Sequence, residues 1–383
     1  MTSFTQLTID PELDRLLRAT VNASASDLHL TLGRPPMVRL SGDLIPIEGM
    51  SDLGAIELDR MIGSLMDEVK THEFAQNHQV DFSFGINGVG RFRANAFRQR
   101  GCMALALRVV PHRISPLDEL GAPAACSKLL NAPYGLVLVV GPTGSGKSTT
   151  LAAMIDQINR DRACHILTIE DPIEYYHEHK SCVVTQREVG VDTENYAVAL
   201  KNALRQRPDV ILVGEIRDRE VMEQALTASE TGHLCLATIH TNNSYQAIER
   251  IVNLFNEDMH QQIRLNLATN LRAILSQRLV PTKAGGMTVA LEVMLNQGLV
   301  KELILEGKIT KIREVMEANQ NLGMCTFDQS LIELFQRGII TEEVALSQSD
   351  MPGDMKIRLQ QARLGGESAG LSGMDTSLLT ISE

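Results

Sequence analysis

Residues 141–148 read Gly-Pro-Thr-Gly-Ser-Gly-Lys-Ser, an order of residue types suited to gripping a chain of phosphates. Gly144 and Gly146 let successive backbone N–H groups turn inward around a polyanion, and a helix beginning just beyond aims its positive end at the same point. Lys147 then reaches the β and γ phosphates, and Ser148 offers its hydroxyl to Mg²⁺. The pattern G-x-x-x-x-G-K-[ST] carries weight only between a buried strand and a helix, and both flanks are present. Residues 136–140 are Leu-Val-Leu-Val-Val, while 149–158 are helix formers with apolar Leu151, Met154, Ile155 and Ile158. Gly141, Pro142, Thr143, Gly144, Ser145, Gly146, Lys147, Ser148 and Thr149 are therefore the expected nucleotide cradle, with ATP and Mg²⁺ as its ligands.

A phosphate cradle alone specifies binding; the reaction depends on what else reaches the strand ends. After the apolar run 166–169 comes Glu170-Asp171-Pro172-Ile173-Glu174, where the proline ends the strand and leaves carboxylates near its edge. The run 210–213 ends in Gly214-Glu215-Ile216-Arg217 and looks like a Walker B strand. Hydrolysis needs a carboxylate to hold a metal's water shell and one to orient or deprotonate the attacking water. Glu215 and Glu174 are the candidates, the alternative being solvated strand-end acids; Glu215 joins Ser148 as a candidate Mg²⁺ ligand, directly or through water. His233 follows a helix stop at Thr231-Gly232, and His240 ends the next strand, where a γ-phosphate sensor sits in a RecA-like sheet; a hydrogen-bonded structural role is the alternative for both. In the first third, Arg91 and Arg93 alternate with Phe92 and Ala94, and Arg108 lies on the following strand. Arg93 and Arg108 are candidates to stabilise charge on a transferring phosphate from a neighbouring domain or subunit, against the alternative of a polar outer sheet face. Tyr176-His177-Glu178-His179 lacks the H-E-x-x-H spacing of a zinc site and reads as a solvated loop.

The elements that must position these groups fall into two domains. Asp10 before Pro11 opens a helix whose Leu13, Leu16 and Leu17 share a face. Short alternating strands follow, with a helix over 58–70 and a hairpin turn at Asn87-Gly88. The spacing predicts an α+β domain over residues 1–112 and a linker over 113–123. Over 124–350 it predicts an α/β domain of parallel strands at 136–140, 165–169, 210–213 and 234–239. Its last third reads as mainly helical, with Ile263, Leu267, Leu271, Ile274, Leu275 and Leu279 on one helix face and a capping box at Thr326 to Gln329. Residues 351–383, Gly/Ser-rich towards the end, are expected as a disordered tail.

The chain has 383 residues, 44% hydrophobic and 22% charged, with a net charge of −11, a globular composition that disfavours nucleic acid as partner. No run approaches the roughly 18–20 apolar residues of a membrane span. No secretory signal is apparent, so a cytoplasmic location is expected. Six scattered cysteines without a C-x-x-C pair read as reduced, mostly buried thiols.

With these motifs assembled, the chain resembles the type IV pilus retraction ATPases, the PilT/PilU branch of the secretion ATPase superfamily, over roughly residues 10–350. The resemblance is carried by Ser26-Asp27-Leu28-His29-Leu30, Gly90-Arg91-Phe92-Arg93, the phosphate loop, the Asp box at 165–175, Thr185-Gln186-Arg187-Glu188-Val189-Gly190, residues 208–217 and the His box at 231–241. It implies a PAS-like N-terminal domain, a RecA-like ATPase domain and a ring of six subunits binding ATP between domains. It implies as well that Glu174 and Glu215 are catalytic acids and that His233 and His240 belong to the His box. Extension and type II secretion ATPases usually carry a four-cysteine zinc module, absent here. Members of the PilT kind carry Ala-Ile-Arg-Asn-Leu-Ile-Arg-Glu where this chain has Gly298-Leu299-Val300-Lys301-Glu302-Leu303-Ile304-Leu305-Glu306, while Thr326-Phe327-Asp328-Gln329 and Ser349-Asp350-Met351-Pro352 look closer to PilU. The expected protein is a hexameric ATPase powering pilus retraction as an accessory to a PilT-type ATPase. Its expected place is the inner face of the inner membrane, held there by a platform protein rather than by a span of its own. A non-motor ATP-binding partner and a RecA-like nucleic-acid translocase are the alternatives.

Overall fold

The computed structural model describes residues 9–371 apart from 41, 112 and 123. Backbone contacts divide it into two units; the first runs to Arg113 and also takes Glu174–Tyr176, and the second begins at Ile114.

In the first unit α1 (Pro11–Asn22) starts where the Asp10 carboxylate accepts hydrogen bonds from the backbone of Glu12 and Leu13, as its sequence signature requires. Then come β1 (Asp27–Leu30), β2 (Met37–Leu40), β3 (Asp43–Pro46), α2 (Ala55–Gly63), α3 (Glu68–Asn77), β4 (Gln79–Ile86), β5 (Gly90–Gln99) and β6 (Cys102–Val110). The single helix expected over 58–70 is two, because the Asp67 carboxylate accepts from the backbone N–H of Lys70 and caps a new start. The strands form one antiparallel sheet in the order β3-β2-β1-β6-β5-β4. Phe92, Ala94 and Ala96 of β5 are buried in one core with Leu13 and Leu17 of α1 and Leu58 and Met61 of α2. Period-two alternation therefore turns Arg91, Arg93 and Asn95 to the opposite face.

The second unit contains α4 (Ala124–Leu129), β7 (Gly135–Val140), α5 (Lys147–Asp161), β8 (His165–Glu170), β9 (Val183–Glu188), α6 (Tyr196–Ala203), β10 (Val210–Val213), α7 (Arg219–Glu230), β11 (Leu234–Ile239), α8 (Ser244–Asn253) and α9 (His260–Asn270). It continues with β12 (Leu271–Pro281), β13 (Met287–Leu295), α10 (Leu299–Glu306), α11 (Ile312–Ala318), α12 (Phe327–Gln336), α13 (Glu342–Gln348) and α14 (Pro352–Leu371). The sheet order is β13-β12-β7-β11-β10-β8-β9, parallel except for the β12–β13 pair. Every residue of β7, β10 and β11 is buried, which explains runs without polar alternation. Leu136, Leu138 and Val140 face a core shared with α6, α7, α8 and α9, whereas Val137 and Val139 face one shared with α5. At about 1.5–3 kcal/mol per large buried aliphatic side chain, these two layers fix the sheet edge on which the loop is built.

Three further stretches differ from the sequence expectation. The helix face expected from Ile263 to Leu279 belongs to two elements: Ile263 and Leu267 lie on α9, while Leu271, Ile274, Leu275 and Leu279 lie on β12. The helix ends because the Asn296 amide donates to the carbonyls of Leu267, Ala268 and Leu271, satisfying the acceptors a further turn would have used. Over 113–122, the described part of the expected linker, there is no helix or strand, but Leu117 is buried and, with Ile114 and Leu120, packs into a core of the second unit. Where a tail was expected from Met351, α14 runs from Pro352 to Leu371 and buries Met355 and Leu359 against Phe327, Leu331 and Ile340; the rest of that expectation, over 372–383, lies outside the described residues.

Candidate functional site

The sheet register decides which side chains meet. Val140 at the end of β7 lies opposite Ile239 of β11 and Ser276 of β12. Ala237 lies opposite Val213 of β10, which lies opposite Ile169 of β8. Counting two residues along each parallel strand brings Asp171, Glu215 and Ile239 level with Val140, so the phosphate loop, an acid pair and His240 arrive at one edge.

The loop is tight because glycine permits it. Gly141, Gly144 and Gly146 have φ of 155°, 79° and 88°, in the region that favours glycine. A Cβ on Gly141 would lie 2.4 Å from Ser145 Oγ and 2.6 Å from the backbone oxygen of Gln277. Ser145 N donates to Pro142 O at 3.2 Å, and Gly146 caps α5, whose first residue is Lys147. The buried Lys147 ammonium donates to the carbonyls of Gly141 and Pro142 at 2.9 and 3.0 Å and lies 3.4 Å from His240 Nδ1. His240 Nε2 is 3.2 Å from Glu215 Oε1, and Arg217 Nε donates to Glu215 Oε2 at 2.7 Å. Arg217 also reaches Asp171 at 3.5 Å. A continuous path thus runs from the loop lysine through an imidazole to a carboxylate.

Burial and then the Lys147 charge push His240 below its ordinary imidazole value, although Glu215 pulls the other way. The ring is therefore neutral at pH 7 and bridges Lys147 and Glu215 as donor and acceptor rather than as an ion-pair cation. The bond to Glu215 raises the already high Arg217 further. Thr238 Oγ1 donates to Gly214 O at 2.5 Å, and Ile216 N donates to Thr238 O at 2.9 Å, so β11 fixes the backbone on both sides of Glu215. A Cβ on Gly214 would come within 2.9 Å of the Tyr196 hydroxyl, which accounts for a glycine before the acid.

The remaining expected site residues are spread over both units. Ser148 and Thr149 are half-buried in the first turn of α5. Glu174 is exposed in the loop after β8 and groups by its contacts with the first unit. His233 sits at the amino end of β11, where Nδ1 meets Ala228 O at 3.0 Å and Thr231 Oγ1 at 3.2 Å. A six-residue strand at ~3.3 Å per residue puts it about 20 Å from the cradle edge; it caps α7 and is not brought together with Lys147. Arg93 lies directly opposite Arg108 on the exposed face of the first sheet. Arg108 Nε donates to Asp27 at 3.0 Å. Burial raises the Asp27 carboxyl, but hydrogen bonds from Ser26 and Arg108 outweigh it and leave the group below its usual range. His177, expected in a solvated loop, is buried, and loss of solvent pushes its ring down to about 4. Among the described residues no group of three or more His, Cys, Asp or Glu is arranged to hold a metal.

Sequence reasoning missed Gln277, which donates to Thr150 at 2.8 Å behind the loop, because its strand was read as a helix. It also passed over Asp171 and Arg217 as site residues, although they stand three positions before Glu174 and two after Glu215. Ser148, in the first turn of α5 behind the loop, and Glu215, just past the end of β10, are hard oxygen donors of the type Mg²⁺ takes. A groove of about 610 Å³, walled by Pro142, Thr143 and Gly144 and by Ser347 and Gln348 opposite, has the size of a small-ligand pocket.

Comparison with known proteins gives this geometry a context. Residues 7–337 match the model of a family described as "Type II/IV secretion system protein". The chain is 44% identical over 358 residues to the type IV pilus ATPase PilU of Pseudomonas aeruginosa, covering 93% of each protein. It is 41% identical over 341 residues to the type IV pilus retraction ATPase PilT of that organism, covering 89% of this chain and 99% of the relative. A crystal structure of the pilus retraction motor PilT with bound ADP superposes with a TM-score of 0.83 at 44% identity, covering 89% of this chain and 97% of the other.

Proposed function

The chain belongs to the Type II/IV secretion system protein family, and on that premise we propose that it is an ATP-hydrolysing motor subunit of type IV pilus retraction, working in a homo-hexamer beside a PilT-type ATPase. The observation that carries the chemistry is the contact path Lys147–His240–Glu215 at the phosphate loop. The loop N–H groups and the start of α5 hold the β and γ phosphates, and Lys147 shifts from the loop carbonyls onto the γ-phosphate oxygens. Glu215, oriented by Arg217 and His240, aligns a water for attack on the γ-phosphorus. The new P–O bond forms as the bond to the ADP oxygen breaks, and the proton released passes to solvent. Mg²⁺, when bound by Ser148 and Glu215, supplies charge neutralisation at the phosphates.

Glu174 assists from the loop after β8, and Arg93 and Arg108 are the cationic groups offered to a neighbouring subunit's phosphate, where permanent charge and fork geometry suit them. His240 serves as γ-phosphate sensor, since its ring touches both Lys147 and Glu215. Among the described residues no helix is long and apolar enough to cross a membrane, which is compatible with a motor reaching the inner membrane from the cytoplasm through a platform protein. The net charge of −11 supports a protein partner over nucleic acid.

The accessory role is supported by the identity to PilU over 93% of both chains. The test is pilus retraction after deletion, complemented with wild type and with Lys147→Ala, in cells with and without a PilT-type ATPase. Rescue by wild type only when the PilT-type ATPase is present supports it; retraction restored without that ATPase, or restored equally by Lys147→Ala, contradicts it.

A further inference from the structure

The chain has six cysteines, all free thiols, and two of them form a site that the ATPase chemistry does not use. Cys164 immediately precedes β8 and Cys182 immediately precedes β9. These strands are parallel, with His165 opposite Val183, so the two cysteines face each other one step earlier, where Val183 N donates to Cys164 O at 3.0 Å. Both side chains turn into the same core, and their Sγ atoms are 3.3 Å apart. Neighbouring strands are spaced at about 4.8 Å, inside the Cα separation of about 4.4–6.8 Å that a disulfide spans. At that spacing side-chain rotation can close the remaining gap between the two sulfurs.

We propose that Cys164 and Cys182 are a thiol–disulfide couple, oxidised by a low-molecular-weight disulfide such as oxidised glutathione and closing residues 165–181 into a covalent loop. Access sets the order of events, because Cys164 is partly exposed while Cys182 is 3% exposed. The Cys164 thiolate attacks one sulfur of the small disulfide, forming a mixed disulfide and releasing one thiol. The Cys182 thiolate then attacks Cys164 Sγ, forming the protein disulfide and releasing the second thiol. Two protein thiols are oxidised and one small disulfide is reduced, so two electrons and two protons balance. The loop so closed carries Glu170, Asp171 and Glu174 and ties β9, the edge strand, to β8. Burial and the neighbouring Cys182 push the Cys164 thiol up to about 12. Since the thiolate is the nucleophile, exchange speeds up about tenfold per pH unit through the neutral range.

The test is to incubate the full chain, folded, with oxidised glutathione at pH 8 and digest it without reductant for mass spectrometry. The expected product is a peptide pair joined through Cys164 and Cys182, with two of the six thiols lost and no glutathione retained. In Cys182→Ser the reaction stops at one glutathione on Cys164, and in Cys164→Ser neither product forms. Stable glutathione on Cys164 of the wild type, cross-links among other cysteines instead, or an unreacted Cys164 would each overturn the proposal.

Discussion

Replacing Gly141 by alanine tests whether the loop is held by close packing against the strand behind it. The added Cβ would sit 2.6 Å from the Gln277 backbone oxygen and 2.4 Å from Ser145 Oγ, where ordinary contact begins near 3.4 Å. Ser145 can rotate, but the Gln277 carbonyl belongs to β12, pinned between β7 and β13. The φ of 155° adds backbone strain, worth about 1–3 kcal/mol, and overpacking adds about 1–3 kcal/mol. The expected loss of about 2–6 kcal/mol is a large share of a typical 5–15 kcal/mol stability. Gly144 is the internal control, since a Cβ there meets nothing within 4 Å and only strain of about 1–2 kcal/mol applies. Urea unfolding of the two variants beside wild type reads both figures from the midpoints. If Gly141→Ala unfolds at the wild-type midpoint, or no earlier than Gly144→Ala, the packing argument is wrong.

Removing the loop ammonium in Lys147→Ala should lower kcat/KM for ATP by about 10²–10³ in a steady-state phosphate-release assay. His240 is held below its ordinary value, so its folded pKa lies under the unfolded value of about 6.5. The stability it contributes is present above that value and is lost as pH falls through the folded pKa. A profile of kcat/KM, which reports the free protein, should accordingly show an acid limb below about pH 6.5 that His240→Gln removes. Asp328 is buried and accepts from Arg313 at 2.6 Å, Ser349 at 2.8 Å and Asp350 N at 3.0 Å. Asp328→Ala should cost about 1–3 kcal/mol in thermal or urea unfolding, because the Ser349 hydroxyl and the Asp350 N–H lose their acceptor and Arg313 is left with the longer pairing to Glu317 at 3.7 Å.

What was legible in the sequence is what local chemistry encodes. The phosphate loop announced itself through glycines between a buried strand and a helix. Asp10 and the Thr326–Gln329 box marked helix starts that the structure reproduces, because a cap depends on neighbours three residues away. Glu215 and His240 were found because strand ends in a parallel sheet share an edge. Partnership across the fold was not legible. The apolar residues from Ile263 to Leu279 keep helical spacing by coincidence across the α9–β12 junction, where Leu271 pairs with β7 and the amide of Asn296, 26 positions beyond Asn270, takes the freed carbonyls. With β12 misread, Gln277 behind the loop was invisible. His233 and His240 look alike in sequence, yet opposite ends of one strand separate them. The segment after Met351 lacks hydrophobic density, but Met355 and Leu359 suffice once α12 and α13 supply a surface.

The most direct test of the strand-tip account is single-turnover hydrolysis by Glu215→Gln, with nucleotide binding measured on the same protein. Glutamine keeps the shape and the acceptor for Arg217 but removes the charge to which the proposed mechanism assigns the alignment of water. The chemical step should slow by about 10²–10⁴, while nucleotide affinity stays within a few-fold of wild type. Hydrolysis at the wild-type rate, with binding intact, would contradict the placement of Glu215 at the centre of the reaction.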